Sequence, residues 1–326
     1  MRRREFIGLL SSVVASRSIV ARAQQGGKRP VIGVLGVGSK SGFTSSLAAF
    51  VKRLRELGWI EGDTVSIEYR WGEGHGDRVG DLAAELVRAK VDVIVTDGNQ
   101  GTTAAKRATS SIPIVFAIAG DPVGTGLVAS LARPGGNATG MSLQMTDTVG
   151  KRIELLREVV PTLRTLAVMA NPGNSVSALE MQAVVATARA LKLDALPVEI
   201  RRAEEIAPAI DGLKGRAEAL YVGGDPLLFV RRADIGSLAL GIKLPSIGIT
   251  QEIADAGALM GYGPNFPDLF RRAAEFVDKI LHGAKPSDLP VEQPTQFDLT
   301  VNMKTAKALD VAIPQTILVS ANQLIE

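Results

Sequence analysis

Cysteine is absent from the 326 residues, and histidine occurs only twice, as His75 and His282. The first absence removes disulfides, thiolate metal ligands and a cysteine nucleophile. The second leaves too little imidazole for a histidine-rich zinc centre. Aromatic residues make up 4% of the chain, while 46% of it is hydrophobic. That balance, rich in Ala, Val, Leu and Gly, is the usage of strands and helices alternating through an α/β core. At roughly 100–200 residues per domain, a chain of this length is expected to form two.

Positive charge is also scarcer than the net of +3 implies. Residues 1–23 hold Arg2, Arg3, Arg4, Arg17 and Arg22 against Glu5, a net of +4, so the remainder carries −1. No electrostatic footprint for nucleic acid is left, and the Arg-Arg pairs at 201–202, 231–232 and 271–272 read as solvated helix faces. The leader itself has a charged start, Met1–Glu5, an apolar stretch, Phe6–Ser16, and small residues around Ala21-Arg22-Ala23. This is the pattern of an export signal, with the mature chain starting near Gln24 and a periplasmic destination. Arg3-Arg4-Glu5-Phe6-Ile7 is similar to the twin-arginine export motif, with the general secretory route as the alternative. The apolar stretch falls well short of the roughly 18–20 residues that span a bilayer, which argues against a membrane anchor.

Beyond the leader, short β-rich runs alternate with helical patterns. Val31–Leu35 is followed by a Gly-rich loop and by Phe43–Leu57, where Leu47, Phe50, Val51, Leu54 and Leu57 recur at helical spacing. Three more units are expected: 64–69 with 77–88, 91–96 with 101–109, and 114–119 with a helix over 123–132. Lys151–Val160 reads as a connecting helix, after which a second series starts at 166–170 and continues to a strand at 246–249. Its elements include a helix to about Leu191 and another over 226–240. The chain therefore reads as α/β, with two similar doubly wound parallel-sheet lobes joined by a multi-strand hinge. After 258 the order stops repeating, which predicts further hinge crossings near 258 and 295. The expected division is a signal peptide over 1–23, an N-terminal lobe of 24–143 and 258–294, and a C-terminal lobe of 144–257 and 295–326.

Open α/β sheets bind ligands beyond the carboxyl ends of their strands, so the interlobe cleft is the expected site. Position nominates Ser39, Ser41, Thr96, Gly98, Asn99, Asp121, Asn171, Asp225 and Tyr262 as ligand-binding residues. Ser39, Ser41, Thr96 and Gly98 could offer N–H and hydroxyl donors to a carboxylate at a helix N-terminus. Asp121 and Asp225 each follow a strand and precede Pro, so either could accept from an ammonium; the alternative is that each shapes a turn or caps the next helix. Phe43, Phe229 and Tyr262 are candidate ring platforms, and Trp59 reads as a packing residue. Gly36–Gly42 could be taken for a dinucleotide phosphate loop, which keeps a nucleotide-using α/β enzyme as an alternative, but a lone glycine-rich turn is weak support. Glu73, His75 and Asp77 share one Gly-rich loop and make a poor catalytic group; His75 is expected at the surface and His282 at a helix end. No catalytic residues, metal site or cofactor are expected.

Several segments in order carry a resemblance: Ala21-Arg22-Ala23-Gln24-Gln25, Leu57-Gly58-Trp59-Ile60-Glu61-Gly62, Ile67-Glu68-Tyr69-Arg70-Trp71, Ile112-Pro113-Ile114-Val115-Phe116, Asp121-Pro122-Val123, 133–140 and Leu299–Leu309. Together they resemble the ABC transporter substrate-binding family that includes tryptophan- and tyrosine-type binding proteins. The resemblance implies a periplasmic-binding-protein type I fold and the binding of a small organic ligand, an amino acid or aromatic compound. It also implies a membrane permease and its ATPase as partners; the chain itself is expected to be a monomer. A ligand sensor feeding a membrane receptor would share the fold and the cleft.

Overall fold

The computed structural model describes residues 29–326, so the segment read as an export leader and its expected cleavage site lie outside the described residues. The N-terminal lobe begins with β1 (Val31–Gly36), which is buried along almost its whole length. A 3-10 turn over Lys40–Phe43 leads into α1 (Thr44–Glu56), whose Leu47, Phe50 and Leu54 face the core as their spacing predicts. Then come β2 (Ser66–Trp71), α2 (Val79–Arg88), β3 (Val93–Thr96), α3 (Asn99–Ala108), β4 (Ile114–Ala119) and β5 (Ala138–Ser142). The five strands form an all-parallel sheet in the order β2-β1-β3-β4-β5. β3 and β4 are buried throughout, as strands covered by helices on both faces must be.

The helix expected over 123–132 does not form; the segment is a run of turns. Asp121 Oδ1 accepts from Gly124 N at 2.8 Å, and Gly126 takes φ +72, outside the helical region. Two glycines in four residues cost a helix more than its apolar positions return.

The chain then enters the C-terminal lobe through α4 (Val149–Val159), which belongs to that lobe's core rather than forming a free connector. β6 (Thr165–Ala170), α5 (Ser175–Ala190), β7 (Asp194–Glu199), α6 (Ile206–Asp211) and β8 (Ala219–Val222) follow. The helix expected over 226–240 is two, α7 (Pro226–Val230) and α8 (Arg232–Gly241), with the break at Arg231. Next are β9 (Ser246–Gly248), α9 (Gln251–Asp255) and β10 (Met260–Pro264). The seven-stranded sheet runs β12-β11-β10-β9-β8-β6-β7, where β11 is Phe297–Asn302 and β12 is Gln323–Ile325. β10 and β11 are antiparallel, the one exception to parallel pairing among the described strands.

The crossing expected near 258 lies instead between Pro264 and Phe266. β10 pairs with β9 through Met260–Ile247 and Gly261–Gly248 and so stays in the C-terminal lobe. α10 (Phe266–Leu281) then returns to the N-terminal lobe, where its apolar face shares one core with α1. The chain remains there through Val291 and Glu292, which bond to Leu131 and Gly140, and crosses back before Phe297. α11 (Met303–Leu309) and α12 (Gln315–Ser320) close the C-terminal lobe. Three crossings join the lobes, as a stiff hinge requires. Trp59 packs on this core and donates from Nε1 to Asp278 Oδ1 at 2.9 Å, while His282 caps the end of α10.

Candidate functional site

The lobes face one another across the carboxyl ends of β1, β3, β4, β6, β8 and β9, and a small cavity of about 70 Å³ lies between them. Its walls come from both lobes. Phe43, Asp97, Gly98, Asn99 and Ile118 stand on one side, and Met145, Asn174, Val176, Gly224, Asp225, Phe229 and Ile249 on the other. A wider opening of about 1180 Å³, lined by His75 and Asn171 among others, shares Asn99, Gln100, Asn174 and Asp225 with it.

One wall is aromatic. Phe43 packs against Phe229 of the other lobe with centroids 5.3 Å apart, and against Phe266 and Phe270 at 6.4 and 5.7 Å. Trp71 stacks behind Phe43 at 6.1 Å. Such ring pairs contribute about 0.5–1.5 kcal/mol each beyond area burial, so the cluster holds the lobes together as well as shaping the cavity.

The other feature is a pair of buried carboxylates. Asp97, at the end of β3, accepts from Val37 N at 2.9 Å and Gly38 N at 3.2 Å. Burial nevertheless pushes its pKa up to about 6. Asp225 lines the same cavity from the C-terminal lobe. It caps α7 by accepting from Leu227 N at 2.8 Å and Leu228 N at 3.4 Å, and its other oxygen accepts from Asn174 Nδ2 at 2.9 Å. Burial raises its pKa as well. Each carboxylate keeps lone pairs free, and an ammonium between them would restore the favourable environment that burial removed.

Of the residues nominated by sequence, Gly98, Asn99 and Asp225 line the cavity, and Asn171 lines the opening beside them. Asn99 donates to Thr125 Oγ1 at 2.8 Å and accepts from Gly120 N at 2.7 Å. The others line neither space. Ser39 Oγ caps the 3-10 turn by accepting from Gly42 N at 3.2 Å, and sits 3.1 Å from the hydroxyl of exposed Ser41. Thr96 Oγ1 is spent on Thr102 Oγ1 at 2.7 Å inside the lobe. Asp121 shapes its own turn, and Tyr262 stacks on Phe297 with centroids 6.1 Å apart, away from the cleft. The Gly-rich loop does not offer its N–H groups outward either, since two of them already serve Asp97.

Sequence reasoning missed Asp97 as well as Met145, Val176 and Ile249. Asp97 directly follows the strand expected over 91–96, and an acidic residue at the end of a buried strand was the available signal. Behind the C-terminal wall it also missed a buried network. Arg152 pairs with Glu180 at 2.8 Å, each side chain 1% exposed. Arg152 also donates to Met145 O at 2.8 Å and to Thr148 Oγ1, while Glu180 accepts from Tyr221 OH at 2.7 Å and Gly224 N at 2.6 Å. The pair thus ties the segment entering the lobe to the loop that carries Asp225. Among the described residues there is no group of three or more metal-ligating side chains, and no helix is long and apolar enough to cross a membrane.

The model of the family described as ABC transporter substrate binding protein matches residues 31–325. The chain belongs to that family. A tyrosine-binding protein of Clostridioides difficile (strain R20291) is 28% identical over 261 residues, 80% of this chain and 75% of that one. A Streptococcus pneumonia ABC domain solved in complex with L-Trp is 25% identical and aligns with a TM-score of 0.86 over 91% of this chain and all of that one. A substrate-binding protein with adhesive properties from Clostridium difficile, solved ligand-free and open, is 27% identical over 91% of this chain and 99% of that one, yet its TM-score is 0.67. Identity and coverage are nearly equal in the two structures. In the protein described here the two lobes touch through the Phe43 and Phe229 rings. The fold expected from sequence is the one these relatives have.

Proposed function

We propose that this protein is the periplasmic solute-binding component of an ABC import system and takes an amino acid with an aromatic or large apolar side chain in the interlobe cleft. One observation carries the reading: a cavity walled by Phe43, Phe229 and Phe266 from both lobes is flanked by two buried carboxylates, Asp97 and Asp225. An apolar body with an ammonium at one end matches both features, because an unpaired buried charge costs several kcal/mol on either partner. The first turn of α3, which opens on the cavity with Gly98, Asn99 and Gln100, would receive the ligand carboxylate on its free N–H groups. The Clostridioides difficile tyrosine-binding protein and the L-Trp complex support the same ligand class.

The closed cavity is smaller than an aromatic amino acid, given that roughly 150 Å³ is needed to hold benzene. Entry therefore requires the lobes to part and the ring of Phe43 to leave Phe229. The ligand ring then takes the place of that contact, and closure satisfies groups on both lobes at once. A membrane permease and its ATPase would receive the loaded protein. A thermal-shift screen against amino acids, aromatic acids, purines and sugars tests the reading. A ligand at 100 times its dissociation constant adds about 2.7 kcal/mol. Stabilisation by sugars or purines alone would reject the proposed class.

A further inference from the structure

The lobes meet at places where the N-terminal lobe presents glycine. A Cβ on Gly42 would stand 3.2 Å from the Phe229 ring, and one on Gly74 would stand 3.7 Å from Val230. Gly120 is the tightest. A Cβ there would fall inside the van der Waals envelope of Val176 Cγ1 and 3.2 Å from Val176 Cβ and Cγ2, and its three nearest atoms are all from Val176. Other close glycines, such as Gly36 against Trp71 and Gly140 against Phe116, make their contacts within one lobe, so a side chain there would damage the lobe itself. Gly120 is different: its φ lies outside the left-handed region, and its three nearest atoms all belong to the opposite lobe.

The two residues are also anchored to the cavity walls. Gly120 N donates to Asn99 Oδ1 at 2.7 Å. Val176 N donates to Asn174 Oδ1 at 3.1 Å, and Asn174 in turn holds Asp225. Bringing Gly120 onto Val176 therefore brings the Asn99 wall and the Asn174–Asp225 wall to their working separation. We propose that the Gly120–Val176 contact sets how far the lobes close and thereby the affinity of the cleft, with the missing side chain at 120 as the permissive element. This rests on the reading of the cleft as the ligand site.

The chain has no cysteine, so Arg107→Cys and Arg201→Cys, exposed residues on opposite rims of the opening, accept nitroxide labels specifically. Distances between them by pulsed electron resonance, with and without saturating L-tryptophan or L-tyrosine, report closure. In the Gly120→Ala chain the short-distance population should fall roughly tenfold or more relative to the otherwise wild-type pair, and affinity should fall with it, since affinity scales with the fraction of competent state. Thermal unfolding of that variant should stay cooperative. Adding Val176→Ala leaves a Cβ–Cβ separation of 3.2 Å, which a few tenths of an ångström of give accommodates, and should restore both the distances and the affinity. A Gly120→Ala chain that keeps the wild-type distances overturns the proposal. So does a double variant no better than the single one, or a wild type that never shows the short distance. Failure of the ligand reading looks different: neither amino acid gives heat on titration, while the wild type still closes and Gly120→Ala still opens it.

Discussion

Replacing Glu180 with Gln keeps the side chain's shape and removes its charge, which leaves the Arg152 guanidinium in the core with no compensating anion. Both side chains are 1% exposed, so solvent cannot take over the lost partner. Removing one member of a buried pair costs about 3–5 kcal/mol, most of it the penalty of the charge left behind. The amide can still accept from Tyr221 OH or Gly224 N, but not with the strength of the carboxylate that accepts from both at 2.7 and 2.6 Å. With a urea slope of about 2 kcal/mol/M for a lobe of this size, the C-terminal lobe's midpoint should drop by about 2 M. Following the transition by both tryptophan fluorescence and circular dichroism separates the lobes, since Trp59 and Trp71 both belong to the N-terminal one. The double variant Arg152→Met with Glu180→Leu removes both charges and should recover most of the loss. A Glu180→Gln chain within about 1 kcal/mol of wild type would refute this reasoning. So would a double variant as unstable as the single one.

Three further outcomes are expected. Asp225→Ala should weaken amino-acid binding by about 2–5 kcal/mol in a calorimetric titration, and also lose a helix cap of about 1 kcal/mol in stability, whereas Ser39→Ala, outside the cavity, should change affinity little. Ligand-free stability should be highest at acid pH as far as Asp97 is concerned. Its pKa rises on folding to about 6, so its contribution is full below the ordinary value of 3.8 and is lost as pH rises through 6, by about 3 kcal/mol. A ligand ammonium offsets that loss, so the ligand-induced gain in Tm should be larger at pH 7.5 than at pH 5, and a gain that shrinks with rising pH would count against a cation beside Asp97. Finally, if export uses the twin-arginine route, Arg3→Lys with Arg4→Lys should leave uncleaved protein beginning at Met1 in the cytoplasm; N-terminal sequencing at Gln24 from a periplasmic fraction would instead place export on the general secretory route.

The alternation of strands and helices was legible because the buried parallel strands are short apolar runs bounded by Gly, Pro or charge. Ile114–Ala119 falls where it was expected, as does the strand that opens the second series, Thr165–Ala170, to within one residue. The errors occurred where local pattern and backbone chemistry disagree. The stretch 123–132 has apolar positions at helical spacing, yet Gly124 and Gly126 turn it, and β10 reads as a fresh start after Gly257 although its hydrogen bonds extend the sheet just finished. Asp225 could be found because it stands at a strand-to-helix turn, the place where such folds put ligands. Asp97 could not be ranked, because its role depends on burial and on N–H groups sixty residues upstream. The aromatic wall is the least legible feature: Phe43, Phe229 and Phe266 come from three distant segments, and Phe229 reaches the other two only across the cleft.

The central claim is that the cleft holds an amino acid by its ammonium as well as its apolar body. Calorimetric titration of the mature protein with L-tryptophan and L-tyrosine, and with the same two acids lacking only the α-amino group, tests it most directly. Saturable one-to-one binding of the amino acids, with the deaminated analogues weaker by roughly 100-fold or more, is the expected result. Equal affinity for both forms, or no binding of either, would contradict it.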